Sequence, residues 1–203
     1  MEETGSAIVL AGGLSTRMGF NKENLVISGE RLLYSLHDTL RMRFEQIIVV
    51  SNTLVDSEER KLEVVRDELL GLGPLGGIHA GLKAARSRYS YVLACDMPYL
   101  NIDYVSFLQS RLPPPGQEIS ALVTAFGYHI EPFNGFYNKS LVDPIRVFAT
   151  TGAKSLTEFL RSQNAVLVAE ETARRFSQDW SMFANINTPA DMLALTSNLA
   201  TKG

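Results

Sequence analysis

Cysteine is nearly absent: Cys95 is the only one in 203 residues. That excludes an intrachain disulfide and any zinc site built from several thiolates. Histidine is scarce as well, with three in all. His37 falls within a predicted helix, His79 opens another, and His129 lies near Glu131 with no third partner, so the spacing supports neither a histidine metal site nor a Ser-His-Asp triad. Positive charge is not in excess. Lys and Arg number 19 against 22 Asp and Glu, a net charge of -3, which leaves no electrostatic footprint for a nucleic acid polymer; any nucleotide bound is therefore small. No apolar run approaches the length of a membrane span, and the opening M-E-E-T-G-S is acidic and polar where a signal peptide is basic and then apolar. The expectation is a cytoplasmic enzyme or binding protein with no membrane partner. Internal repeats and low-complexity segments are missing too.

What is present reads as a globular chain. Its 45% hydrophobic and 20% charged residues are ordinary for a soluble protein, and the length suits one α/β domain over residues 1–203. The most informative stretch runs from Ala7 to Lys22, A-I-V-L-A-G-G-L-S-T-R-M-G-F-N-K. A short continuous apolar run, Ala7 to Leu10, predicts a buried strand of a parallel sheet. It turns through Gly12 and Gly13, passes Arg17, turns again at Gly19 and reaches Lys22. The loop contains neither G-x-x-x-x-G-K-[ST] nor G-x-G-x-x-G. Glycines that let backbone N–H groups approach closely, with two cations at fixed offsets, still point to an oligophosphate site rather than a simple turn.

Further along, buried strands are predicted at Ile47–Val50, Leu62–Val65 and Tyr91–Ala94, with helices over Arg31–Arg43, from Ile78 to Arg86 and after Asn101. Repeated strand, loop and helix units imply a three-layer α/β/α architecture around a mostly parallel central sheet with right-handed crossovers. Gly71 to Gly77 reads as a glycine-rich loop, and Pro113 to Gly116 as a surface turn. Ile119–Thr124 and Glu131–Tyr137 resume the sheet, helices cover Ser140–Phe148 and Ser155–Arg161, and Ala165–Ala169 is a late strand. Met182–Ile186 is predicted as a last strand, with Asn187 capping a helix that has Pro189 in its first turn.

Asp96 stands where an apolar strand ends, the edge at which open α/β sheets place ligands. A carboxylate there either caps the following helix or holds Mg²⁺ against phosphate oxygens; a glycine loop emerging from the same edge favours the metal. Asp67 also ends a strand on that edge. Glu131 either presents a carboxylate or punctuates its strand.

With these pieces named, L-A-G-G-L-S-T-R-M-G-F-N-K resembles the L-A-G-G-x-x-x-R-M-G-x-D-K signature of the molybdenum cofactor guanylyltransferases. G-P-L-G-G-I at Gly73–Ile78 is similar to that family's G-P-L-A-G, Cys95-Asp96-Met97-Pro98 to its C-D-x-P, Glu131-Pro132 to its E-P or H-P position, and Asn185–Pro189 to its N-x-N-T-P. The resemblance implies a Rossmann-like nucleotidyltransferase that moves GMP from GTP to the terminal phosphate of molybdopterin and releases pyrophosphate. It further implies transient contacts with other proteins of that pathway. Carried over by motif, Leu10, Ala11, Gly12 and Gly13 hold the nucleotide, Arg17 and Lys22 lie against its phosphates, Asp67 contacts it, and Asp96 binds Mg²⁺. Ser51 falls where relatives often carry Asn at a nucleotide-contacting strand end, and Asn187 faces the pterin side. One departure is Asn21, where the family usually has Asp; Asn keeps size and hydrogen bonding but loses charge. The rivals are a related transferase for CTP or a sugar phosphate, which L-A-G-G rather than L-A-A-G disfavours, and a nucleotide-binding regulator without turnover.

Overall fold

A computed structural model describes residues 3–11, 14–15, 20–21, 25–27, 29–53, 62–188 and 190–192. In chain order the elements are β1 (Ser6–Leu10), β2 (Leu14–Ser15), β3 (Phe20–Asn21), β4 (Val26–Ile27), β5 (Glu30–Arg31), α1 (Leu32–Arg41), β6 (Gln46–Val50), β7 (Glu63–Val65), α2 (Pro74–Ala84) and β8 (Tyr89–Ala94). There follow α3 (Ile102–Ser110), β9 (Ala121–Phe126), β10 (His129–Asn138), α4 (Val142–Ala149), α5 (Leu156–Ser162), β11 (Ala165–Val168) and α6 (Glu170–Arg174). Seven strands form one sheet in the order β11-β9-β10-β8-β1-β6-β7. β1 pairs in parallel with both β6 and β8, β6 with β7, and β9 with β11. Only β10 runs the other way, antiparallel to β8 and β9, because the two-residue connection after Phe126 makes it the second arm of a hairpin.

The alternation of side chains along each strand builds the layers. Ala7 and Val9 of β1 and Ile47 and Val49 of β6 join a core cluster with Leu33, Leu36 and Leu40 of α1 and with Tyr104, Val105 and Leu108 of α3. Ile8, Leu10, Ile48 and Val50 point the other way, into a cluster with Leu75, Ile78 and Leu82 of α2, Ile145 of α4 and Phe159 of α5. Every residue of β1 and β6 is buried, as a sheet covered on both faces requires. The expected three-layer, mostly parallel α/β/α arrangement is therefore the one observed. Among the described residues no helix is long and apolar enough to cross a membrane.

Two expectations are corrected. Gly71 to Gly77 is not a loop throughout: α2 starts at Pro74, after Gly73 with φ of 59°, and takes in Gly76 and Gly77. Glycine in a helix usually marks weakness, but here it allows close approach. A β-carbon at Gly81 would lie 2.5 Å from Ile8 Cγ2, and one at Gly77 would lie 3.1 Å from Leu10 Cδ2, so α2 sits almost directly on β1. Nor is Met182–Ile186 a strand. Ser181–Phe183 is a short 3₁₀ helix entered from Trp180 at φ of 65°, and the chain then crosses the end of β8, with the Ile186 N–H donating to the Asp96 carbonyl at 2.9 Å. The helix α6 has no counterpart in the sequence reading.

Candidate active site

Strand order changes direction at β1. Its crossover through α1 leads to β6 on one side, while α2 returns the chain to β8 on the other. A crevice at the carboxyl ends of strands flanking such a switch is where ligands bind in α/β sheets. Leu10 is paired with Val50 and Ala94, so the three strand ends are level. The Ala11 N–H donates to the Val50 carbonyl at 2.9 Å, and the Cys95 N–H to the Leu10 carbonyl at 3.0 Å. Leu10 and Ala11 are thereby clamped between the residue preceding Ser51 and the residue preceding Asp96. Ser51 is buried, its N–H donates to the Val65 carbonyl at 3.0 Å, and its Oγ accepts from the Thr53 N–H. Asp67, just past β7, joins the same edge through its N–H, which donates to Asn52 Oδ1 at 2.9 Å.

On the far side of β1, Asp96 is buried, and its carbonyl takes the Ile186 N–H, which sets Asn187 one residue away. The strand predicted there does not form, yet the adjacency to Asp96 does. Asn187 is exposed. The expected cap on the following helix is shared differently: Asp191 Oδ2 accepts from the Asn187 and Thr188 N–H groups, and Thr188 Oγ1 accepts from the Asp191 N–H, a reciprocal capping box. Those backbone donors hold the Asp191 carboxyl below its ordinary range. Leu10, Ala11, Ser51, Asp67, Asp96 and Asn187 thus gather along one edge. Gly12, Gly13, Arg17 and Lys22 lie outside the described residues, and of Asn21 only the backbone is described, in β3.

Beyond Asp96 a cavity of about 610 Å³ opens between the turn after β8 and the segment following α6, with Pro98, Tyr99 and Asn101 on one wall and Phe176, Asp179 and Met182 on the other. Asn101 ties the walls together: its Nδ2 donates to the Phe176 carbonyl at 2.9 Å while its Oδ1 caps α3 at the Tyr104 N–H. Asp179 accepts from the Ser181 N–H and the Ser177 hydroxyl, and these bonds lower its pKa. Glu131, opposite Thr124 in β10, has its pKa raised by burial, with His129 acting in the opposite sense.

Two contributors escaped the sequence reading. Asn52, which was given no role there although it stands beside Ser51, holds the Asp67 N–H. Asn134, inside the segment read as extended, adopts φ of 54°; its Oδ1 accepts from the Tyr91 hydroxyl at 2.5 Å and its Nδ2 donates to the Met182 carbonyl.

His79 lies inside α2, buried, with Nδ1 lacking a hydrogen-bond partner. Burial lowers its pKa below the ordinary 6.5; Glu68 opposes this, Lys83 adds to it, Asp67 opposes and Arg146 adds. The unfolded imidazole then takes up its proton at higher pH than the folded one. Stability contributed by neutral His79 is complete above about pH 6.5 and is lost as the pH falls from there toward the folded value. Urea midpoints measured across this window are expected to drop more steeply for the natural protein than for His79→Gln.

The family model for the MobA-like NTP transferase domain matches residues 7–167. The chain belongs to that family. Full-length relatives agree. This MobA-like domain is 47% identical to a molybdenum cofactor guanylyltransferase of Syntrophotalea carbinolica over 92% of its own length and 88% of the relative's. It is 42% identical to a probable molybdenum cofactor guanylyltransferase of Peptoclostridium acidaminophilum, over 93% and 86%. Among solved structures, molybdopterin-guanine dinucleotide biosynthesis protein A from Archaeoglobus fulgidus superposes with a TM-score of 0.79 at 25% identity, covering 98% of this chain and all of that one. The nucleotidyltransferase fold expected from the sequence is thus the fold of its relatives, and the MobA-like domain is a nucleotidyltransferase.

Proposed function

We propose that the protein transfers GMP from GTP to the terminal phosphate of molybdopterin, releasing pyrophosphate and forming the guanine dinucleotide. The observation that carries this reading is the level alignment of Leu10–Ala11, Ser51 and Asp96 at the switch point, with Asp67 on one flank and the cavity beyond Asp96 on the other. Relatives at 47% and 42% identity bearing the guanylyltransferase name support it. The nucleotide lies over β1 and β6, and the acceptor enters from the cavity side.

Chemistry of this kind asks for positioning and charge rather than a protein nucleophile. An oxygen of the acceptor phosphate attacks the α-phosphorus in line, and the bond from that phosphorus to the bridging oxygen breaks as pyrophosphate leaves. Arg17 and Lys22 stabilise the charge that collects on the departing oxygens. Leu10 and Ala11 hold the base through backbone groups while Asp67 holds the nucleoside. Asp96 fits Mg²⁺ as a hard oxygen donor buried just past the carboxyl end of β8, since Mg²⁺ prefers one or two carboxylates with phosphate oxygens and waters completing its shell. When bound, it would neutralise phosphate charge. Asp179, ionised on the cavity wall, is placed to accept N–H donors from a pterin ring.

The test is incubation with each radiolabelled nucleoside triphosphate, Mg²⁺ and molybdopterin, followed by detection of pyrophosphate and a dinucleotide. GTP alone is expected to yield both. Product from CTP, or binding without product, would replace this reading with a cytidylyltransferase or a regulator.

A further inference from the structure

Trp180 has a left-handed backbone, with φ of 65°. A bulky residue adopts that conformation only where its surroundings impose it, and such strain gathers at turns that hold ligands. What imposes it here is a stack. The indole centroid lies 4.5 Å from that of Phe183 and 4.7 Å from that of Phe126, and the Arg174 guanidinium sits over the indole at 4.9 Å. The same guanidinium makes two further ties. Its Nε donates to Glu170 Oε1 at 2.8 Å and its Nη1 to the Gln178 carbonyl at 2.9 Å, while Glu170 also accepts from the Gly127 N–H in the turn between β9 and β10. Arg174 thus grips residues 178 and 180, one on each side of Asp179. Asp179 lines the cavity beyond Asp96, and its bonds to Ser177 and Ser181 are internal to the loop, so they shape the loop without placing it. Asn101 and Asn134 fasten the loop's ends at the Phe176 and Met182 carbonyls; Arg174 fastens its middle.

We propose that Arg174 is a positioning residue for the acceptor: by clamping Trp180 and the Gln178 carbonyl it fixes where the Asp179 carboxylate meets the N–H donors of the pterin ring. The clamp needs a flat, forked cation, with donors for Glu170 and Gln178 and a face for the indole. A lysine ammonium keeps the charge but supplies no such plane. This inference rests on the reading of the cavity as the acceptor side, with Asp179 as its pterin contact, given above.

The natural chain is compared with Arg174→Lys, Arg174→Gln, Asp179→Ala and the double variant Arg174→Gln with Asp179→Ala. Steady-state kinetics are measured with molybdopterin and GTP varied in turn, beside thermal melting and tryptophan emission, which comes from Trp180 alone because the chain has no other tryptophan. Arg174→Gln is expected to raise KM for molybdopterin about tenfold while KM for GTP and kcat stay within about twofold, since a displacement on the order of an ångström is costly to recognition. Its emission is expected to move to longer wavelength as the indole gains water. Arg174→Lys keeps a cation beside Glu170, so its melting temperature is expected to stay near the natural one while KM for molybdopterin rises as in Arg174→Gln. Asp179→Ala is expected to raise that KM at least as much, and in the double variant the change at 174 is expected to add nothing further. A KM that is natural in Arg174→Lys and raised only in Arg174→Gln would reduce Arg174 to half of an ion pair and overturn the proposal. So would an unshifted emission in Arg174→Gln, a penalty of Arg174→Gln that persists undiminished in the Asp179→Ala background, or a natural KM in Arg174→Gln beside an impaired Asp179→Ala. A natural KM in Asp179→Ala would overturn the reading of Asp179 as a pterin contact and the proposal with it.

Discussion

Asp96→Asn is expected to lower the rate of nucleotidyl transfer by about a hundredfold or more while leaving the melting temperature within a few degrees of the natural protein. The separation of the two effects follows from how the residue is held. Its backbone carbonyl accepts the Ile186 N–H, and the neighbouring Cys95 N–H is bonded to Leu10, so the frame that brings β8, β1 and the C-terminal segment together is main chain and survives the change. Asparagine also fills the same buried volume, and what is lost is the charge. Lys22→Ala is expected to produce a comparable loss, since it removes a cation from the leaving phosphates. Pyrophosphate release at saturating GTP and molybdopterin reads the first effect, and a melting curve the second. Near-normal turnover in either variant would sink the assignment, whereas a lost rate in an unfolded protein would assign Asp96 to the core.

The residues legible from sequence were those whose signal is local. Ala7–Leu10, Ile47–Val50 and Tyr91–Ala94 are continuous apolar runs, and such runs become central parallel strands because both faces need covering. Once Tyr91–Ala94 and the shorter Leu62–Val65 were placed, Asp96 and Asp67 followed as residues just past their carboxyl ends, whereas Ser51 came only with the family resemblance. The errors arose where long-range packing overrode a local rule. Gly76 and Gly77 signalled a loop, but the side chains packed against them, Asp67 and Leu10, come from elsewhere in the chain. Met182–Ile186 carries the apolar residues of a strand, yet its hydrogen-bond partner is the end of β8, not a free sheet edge. The reversal at β10 depended on a hairpin at Gly127, whose φ of 55° is a turn conformation that the glycine permits.

Asn134 is the residue least visible in the sequence, and its replacement is expected to have the largest effect on stability. It sits where the pairing of β10 with β9 shifts register between Glu131 and Phe136, in a left-handed conformation that costs a residue with a β-carbon on the order of 1 kcal/mol. The side chain compensates by bridging two partners 43 and 48 positions away. Tyr91 is fully buried, which pushes its phenol well above the ordinary value; its hydroxyl stays protonated and donates to Oδ1, leaving Nδ2 to donate to the Met182 carbonyl. The amide orientation is thus fixed from both sides. Asn134→Ala leaves a buried hydroxyl and a buried carbonyl unpaired and retains the backbone strain, so a loss of roughly 3 kcal/mol is expected. Asn134→Gly makes the same two deletions but relieves the strain, and is expected to recover about 1 kcal/mol of that loss. Tyr91→Phe, which removes only one bond, is expected to cost less than either. The bridge also anchors the 3₁₀ helix whose continuation delivers the Ile186 N–H to Asp96, so the loosened segment carries a second consequence: Asn134→Gly, folded at low temperature, is expected to show a raised KM for the acceptor with little change in KM for GTP. Urea titrations of the three variants check the order of stabilities, and kinetics with each substrate varied in turn check the split.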